Sequence, residues 1–78
     1  MTGLYLTPTR RELLEAVHEE RVVEGITDDH TWLVEAGYPN RKVDARVEEA
    51  KRAGWIELPD GTPFWRLTDD GRTALGWS

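Results

Sequence analysis

The sequence predicts a single α+β domain in which helices are followed by a β-hairpin and a short terminal helix. Apolar residues recur at helical spacing as far as Gly54, and the period then changes to two. The two alternating runs that follow are separated by a Pro-Asp-Gly turn signal. Seventy-eight residues are the length of one domain, and with no cysteine the core must hold without disulfides.

The first helix is predicted to begin at Pro8, because Thr7 can cap it and a proline at the first helical position loses no needed hydrogen bond. Thr9 and Glu12 offer an alternative capping box. The helix runs to about Glu20, and its apolar stripe consists of Leu13, Leu14, Ala16 and Val17.

Two adjacent β-branched residues, Val22 and Val23, follow the first helix. They are predicted either to form a short strand or simply to fill the core, and Gly25 ends this apolar segment.

A second helix is predicted from the capping and acidic residues Thr27 to Asp29. Trp32, Leu33 and Ala36 then share one helical face, and Gly37 ends the helix.

A third helix follows the short turn from Gly37 to Pro39. Asn40 is predicted to cap it, and Gly54 to end it. Its narrow inward stripe consists of Val43, Val47 and Ala50.

The hairpin strands are predicted over Trp55 to Leu58 and Phe64 to Leu67. Gly61 accepts the positive φ of the turn between them. Thr68 then caps a terminal helix that continues through Leu75.

Two stretches carry a resemblance to a known family: LVEAGYPNRKVDARVEEAKRAGWI, from Leu33 to Ile56, and FWRLTDDGRTAL, from Phe64 to Leu75. Both are similar to the winged helix-turn-helix domains of bacterial and phage transcription regulators, including the MarR and PadR groups. The resemblance implies a three-helix core, a two- or three-stranded β-hairpin wing and a short C-terminal helix. It also implies that the third helix enters the major groove of DNA.

The net charge of −5 argues against a protein that coats nucleic acid nonspecifically, because such a protein would be basic. Residues 22–37 sum to −4 with no basic residue, whereas residues 38–58 sum to +1. Any contact with DNA must therefore come from the local geometry of that one positive segment.

The DNA-binding candidates follow from placing the third helix in the groove, where its amino-terminal residues meet base edges and its cations meet phosphates. Arg66, on the strand that leaves the wing, adds a phosphate contact. The candidates are Asn40, Arg41, Lys42, Ala45, Arg46, Arg52 and Arg66.

Each candidate cation has a plainer interpretation. Arg52 and Arg46 can form solvated ion pairs with Glu48 and Glu49 along one helix. Arg10 and Arg11 lie in the first helical turn, where the helix dipole disfavours cations, so they either contact phosphates or serve solubility.

The wing, Pro59 to Pro63, carries only the charge of Asp60 and lacks the lysine or arginine that would contact DNA.

The four tryptophans are expected in the core or at a dimer contact, and Trp77, near the terminus, is the candidate for an intermolecular contact. No cofactor, metal site or catalytic constellation is predicted, since His18 and His30 are too few and too far apart in sequence.

The leading hypothesis is a sequence-specific duplex-DNA-binding protein, a small transcription regulator or a phage-type repressor or excision factor, acting as an oligomer such as a homodimer. The alternative is a winged-helix protein-interaction module that does not bind DNA and uses Asp28, Asp29 and Glu35 against a basic protein partner. An enzyme is a distant third. The chain has no apolar run long enough for a membrane span and no secretory signal over Met1 to Arg11, so a cytoplasmic location is expected.

Overall fold

Three helices and two antiparallel sheets make up the part of the chain that the computed structural model describes, residues 5–25 and 30–77. None of the described helices is long and apolar enough to cross a membrane. The elements in chain order are α1 (Pro8–His18), β1 (Val22–Glu24), β2 (Thr31–Leu33), β3 (Arg41–Lys42), α2 (Asp44–Arg52), β4 (Ile56–Glu57), β5 (Arg66–Leu67) and α3 (Asp69–Ala74).

The structure confirms the predicted start of the first helix. Thr7 is the N-cap, and its hydroxyl accepts a hydrogen bond from the Arg10 amide at 3.2 Å, with Pro8 at the first helical position. The helix ends at His18, and Glu20 just beyond it adopts a positive φ of 61°. The apolar stripe predicted for α1 is buried in full.

The prediction of a second helix is wrong. Thr31–Leu33 form strand β2, which pairs antiparallel with β1 so that Val22 lies opposite Leu33 and Val23 opposite Trp32. Burial alternates along β2, with Thr31 and Leu33 inside and Trp32 half exposed, which is the period of a strand. The predicted cap, residues 27–29, lies outside the described residues. Of the two alternatives for Val22 and Val23, the structure shows the short strand, since both belong to β1.

The predicted cap at Asn40 is also wrong, because the chain remains extended beyond it. Arg41 and Lys42 pair with β2, so the helix begins only at Asp44. Val43 occupies the N-cap position without a side-chain cap. The predicted stripe of this helix, Val43, Val47 and Ala50, is buried, and Gly54 ends the helix with a φ of 79°.

The hairpin and the terminal helix are confirmed. Ile56 pairs with Leu67 across β4 and β5, and Gly61 in the turn has a φ of 84°. Thr68 caps α3 by accepting a hydrogen bond from the Gly71 amide at 3.1 Å.

Strand β1 joins the two sheets, because its second edge pairs with the chain just before β5. Val23 forms a bridge with Phe64, the Glu24 amide donates to the Pro63 carbonyl at 2.8 Å, and the Trp65 amide donates to the Val22 carbonyl at 3.2 Å. The hairpin is therefore tied to the centre of the domain.

A single apolar cluster lies between α1, α2 and the sheets. Trp55 and Trp65 are only 4% and 6% exposed, which confirms the expected core role for two of the tryptophans. The cluster consists of Leu13, Leu14, Ala16, Val17, Val22, Leu33, Val43, Val47, Ala50, Ala53, Trp55, Ile56, Trp65, Leu67 and Leu75.

Candidate nucleic-acid interface

Two predicted DNA-binding arginines converge on one carboxylate of α1. Arg41 of β3 places Nη2 at 3.3 Å from Oε1 of Glu12, and Arg46 of α2 places Nη1 at 3.7 Å from the same oxygen. All three side chains are about half exposed. The pairing thus gathers cations from two elements beside α1.

A second ion pair links the same two helices. Arg10 donates from Nε to Oε1 of Glu49 at 2.7 Å and from Nη2 to Oε2 at 3.1 Å, and its Nη1 donates to the Tyr5 carbonyl at 2.7 Å. The hydrogen bond from Arg10 lowers the pKa of the Glu49 carboxyl and raises the pKa of the guanidinium. The predicted partnership of Arg46 with Glu49 is not formed, because α1 supplies a different partner to each of them.

We call Arg10, Arg41 and Arg46 the arginine cluster. Arg11 is exposed and follows Arg10 directly in α1, but among the described residues it forms no ion pair that would tie it to this cluster. Three arginines against the two carboxylates of Glu12 and Glu49 leave a local charge of +1 on a chain whose net charge is −5.

Asn40 and Lys42 lie beside this cluster without joining it. Asn40 is exposed in the segment that leads into β3. Lys42 places its ammonium 6.0 Å from the ring centroid of Trp32, the residue opposite it on β2. Neither residue belongs to the helix for which it is predicted.

The other predicted contacts lie away from the cluster. Arg52, in the last turn of α2, forms the expected pair with Glu48 at 3.2 Å, and Arg66 of β5 donates to Glu57 at 2.7 Å across the hairpin. Ala45 is exposed on the flank of α2 that faces the hairpin.

The residues that sequence reasoning misses are the organising carboxylates. Local patterns place Glu12 only in a capping box, and Glu49 only as a partner within its own helix. The pair from Arg10 to Glu49 spans 39 positions in sequence, and no local pattern indicates it. The one hint in the sequence is a cation in the first turn of α1, which needs a compensating partner.

The predicted intermolecular residue, Trp77, has a partner within the chain. Its ring meets the ring of His18 edge to face, with centroids 4.8 Å apart, and it is half buried against the core. A role in oligomer contact stays a prediction.

The acidic residues of the alternative hypothesis are only partly described. Glu35 pairs with Arg21 at 3.4 Å, while Asp28 and Asp29 lie outside the described residues. Within residues 5–25 and 30–77, no three His, Cys, Asp or Glu residues are grouped in a way that could hold a metal ion.

Comparisons of the chain with protein-family models, with curated proteins and with solved structures found no match.

Proposed function

We propose that this chain is a winged-helix-like DNA-binding domain that docks duplex DNA on the arginine cluster and acts as a small transcription regulator. The observation that carries the proposal is the convergence of Arg41 and Arg46 on Glu12, beside the ion pair of Arg10 with Glu49. It gathers positive charge on the flank of α2 that faces α1, and Arg46 lies in the first turn of α2, the part of a recognition helix that meets DNA.

The cluster can exchange its internal partner for phosphate. Ion pairs between half-exposed side chains are worth only tenths of a kcal/mol, so releasing Glu12 costs the arginines little. A phosphate offers a guanidinium a bidentate, charge-assisted contact of greater strength. Glu12 then competes weakly with phosphate for Arg41 and Arg46.

The order of elements supports the winged-helix part of the proposal. Helix α2 is followed directly by the β4–β5 hairpin, and α1 packs against both. The proposed domain departs from the helix-turn-helix pattern in two respects: strand β2 stands in place of the predicted second helix, and strand β3 occupies the predicted start of the third.

Replacing Arg41 and Arg46 together by alanine should weaken binding to duplex DNA. We expect an affinity at least about tenfold lower at low salt. A plot of log affinity against log salt should be shallower by about two, because each of the two arginines neutralises one phosphate. The measurement is fluorescence anisotropy of a labelled duplex, first with a random-sequence pool and then with duplexes selected from it. Palindromic selected sites would favour a dimer.

Two controls separate a specific site from a general effect of charge. Arg72→Ala together with Lys51→Ala removes the same charge outside the cluster and should leave most of the affinity intact. Glu12→Gln should tighten binding because it frees two arginines, whereas Glu57→Gln makes the same charge change on the hairpin and should have a smaller effect. Unchanged anisotropy of the pool over a wide range of wild-type concentrations would contradict the proposal.

A further inference from the structure

A groove of about 980 Å³ runs along the opposite flank of α2, between this helix and the hairpin. The residues of α2 that line it lie on one helical face, whereas Arg46 and Glu49 turn towards α1. The lining residues of α2 are Asp44, Ala45, Val47, Glu48 and Lys51. The arginine cluster and the groove therefore occupy opposite sides of one helix.

Thr31 holds two carboxylates together at this groove. The Thr31 amide donates to Oδ1 of Asp44 at 2.7 Å, and its hydroxyl donates to Oε1 of Glu24 at 2.7 Å. The indole of Trp65 donates to the same Glu24 oxygen at 2.9 Å. Since Thr31 is only 5% exposed, this arrangement is anchored in the core of the domain.

The charges of these two carboxylates are not neutralised by a lysine or an arginine of the described residues. Glu24 receives hydrogen bonds from a hydroxyl and an indole, and Asp44 from a backbone amide and from His30, whose Nδ1 lies 3.3 Å from Oδ2. Glu48 and Glu57, which also line the groove, are paired with arginines instead. The groove thus contains two fixed anionic positions.

Apolar side chains line the same groove as these two carboxylates. Val47, Ile56 and Trp65 are buried, while Leu58 is 38% exposed. An apolar surface beside fixed carboxylates matches a side chain that has an aliphatic stem and a cationic end, as lysine and arginine do.

We infer that this groove binds a basic amphipathic segment of a protein partner, with a lysine or arginine of the partner at Glu24 and Asp44 and an apolar residue on Leu58. Charge complementarity identifies the occupant: of the charged residues that line the groove, four are carboxylates and one is a lysine. A DNA phosphate would be repelled here, so the inference extends the proposed DNA-binding function and does not depend on it.

The test uses a synthetic amphipathic helical peptide of lysine and leucine as the probe, titrated into the ¹⁵N-labelled full chain. The indole N–H signal of Trp65 should shift, because its hydrogen-bond acceptor engages the probe. The double variant Glu24→Gln and Asp44→Asn should bind about tenfold or more weakly. The control double variant Glu20→Gln and Asp60→Asn makes the same change in net charge on exposed residues elsewhere and should bind like the wild type.

Leu58→Ala provides a second variant on the rim of the groove, which tests the site even if the loss of both carboxylates impairs folding. The Leu58→Ala variant should bind the peptide severalfold more weakly than the wild type. Equal affinity for the wild type, the groove variants and the control would overturn the inference, as would no shift of the Trp65 signal. Duplex DNA added without peptide that shifts the Trp65 signal in the wild type and in the Arg41→Ala, Arg46→Ala variant alike would assign the groove to nucleic acid and also overturn it.

Discussion

At the scale of single residues, Gly71 shows how closely the terminal helix approaches the core. The residue is buried in α3, and a Cβ added to it would collide with the backbone carbonyl oxygen of Trp55 and press on the side chain of Leu67. A carbonyl in the middle of the packed domain cannot move aside as a flexible side-chain end can. Glycine is required here by contact, not by φ.

Replacing Gly71 by alanine should destabilise the domain by about 2–3 kcal/mol, in the range of overpacked core positions. The free energy of unfolding can be measured by urea denaturation monitored by tryptophan fluorescence. The exposed Thr73 in the same helix provides the control, since Thr73→Ala should change stability by less than about 0.5 kcal/mol. Equal effects of the two substitutions would mean that α3 is loosely docked.

Asp44 makes stability depend on pH. The hydrogen bond from the Thr31 amide, assisted by His30, lowers the pKa of the Asp44 carboxyl in the folded state. A lowered pKa in the folded state means that the stabilising contribution is present above the unfolded-state pKa and is lost as the pH falls through the folded-state value.

We therefore expect Asp44→Asn to lose less stability than the wild type when the pH is lowered below about 4. Urea denaturation at neutral and acidic pH gives the comparison. Asp60→Asn, a substitution in the exposed wing, should keep the full pH dependence of the wild type. If the stability of Asp44→Asn depended on pH as strongly as that of the wild type, the loss of stability at low pH would come from other carboxylates.

At the scale of elements, α3 depends on its amino-terminal cap. The hydroxyl of Thr68 accepts a hydrogen bond from the Gly71 amide and donates one to the Gly54 carbonyl, so it ties the start of α3 to the end of α2. A helix of six residues has little intrinsic stability and relies on such contacts.

Thr68→Ala should lower the free energy of unfolding by about 1–2 kcal/mol, while Thr68→Ser should keep most of it because serine retains the hydroxyl. The same urea denaturation experiment measures both. A serine variant as unstable as the alanine variant would show that the methyl group, not the cap, is the important part of this side chain.

The elements that the sequence predicts correctly have strong local signals, whereas the second helix and the cap at Asn40, which are both wrong, rest on weak ones. Thr7-Pro8, Pro-Asp-Gly and Thr68 fix backbone conformation by themselves. Trp32, Leu33 and Ala36 share a helical face, but so short a window does not separate a helical period from a strand period. The strand forms because Val23 and Lys42 flank Trp32 in neighbouring strands, which are tertiary contacts.

The cations of the candidate site are predictable from the sequence, and their arrangement is not. Charge and position make Arg10, Arg41 and Arg46 candidates for contact with DNA. Their gathering depends on Glu12 and Glu49, and those contacts exist only once α1 and α2 pack together. The groove on the other flank depends on Thr31, whose predicted place is the second helix.

At the scale of the whole molecule, helix α2 divides surfaces of opposite charge. Its flank towards α1 carries the arginine cluster, and its flank towards the hairpin carries four carboxylates against one lysine. The net charge of −5 is therefore an average over two unlike faces. Under the two proposals, one small domain would hold DNA and a basic protein at the same time, because the two ligands would use different surfaces.

The bridge between Val23 and Phe64 also limits which strand edges of the three-stranded sheet are open. Because β1 pairs with β2 on one edge and with Phe64 on the other, the open edge of that sheet is β3. That end is only two residues long and carries Arg41 and Lys42, so a second copy pairing edge to edge would bring cations against cations. We therefore expect the charges that we assign to DNA docking also to disfavour edge-to-edge pairing between two folded copies of the chain.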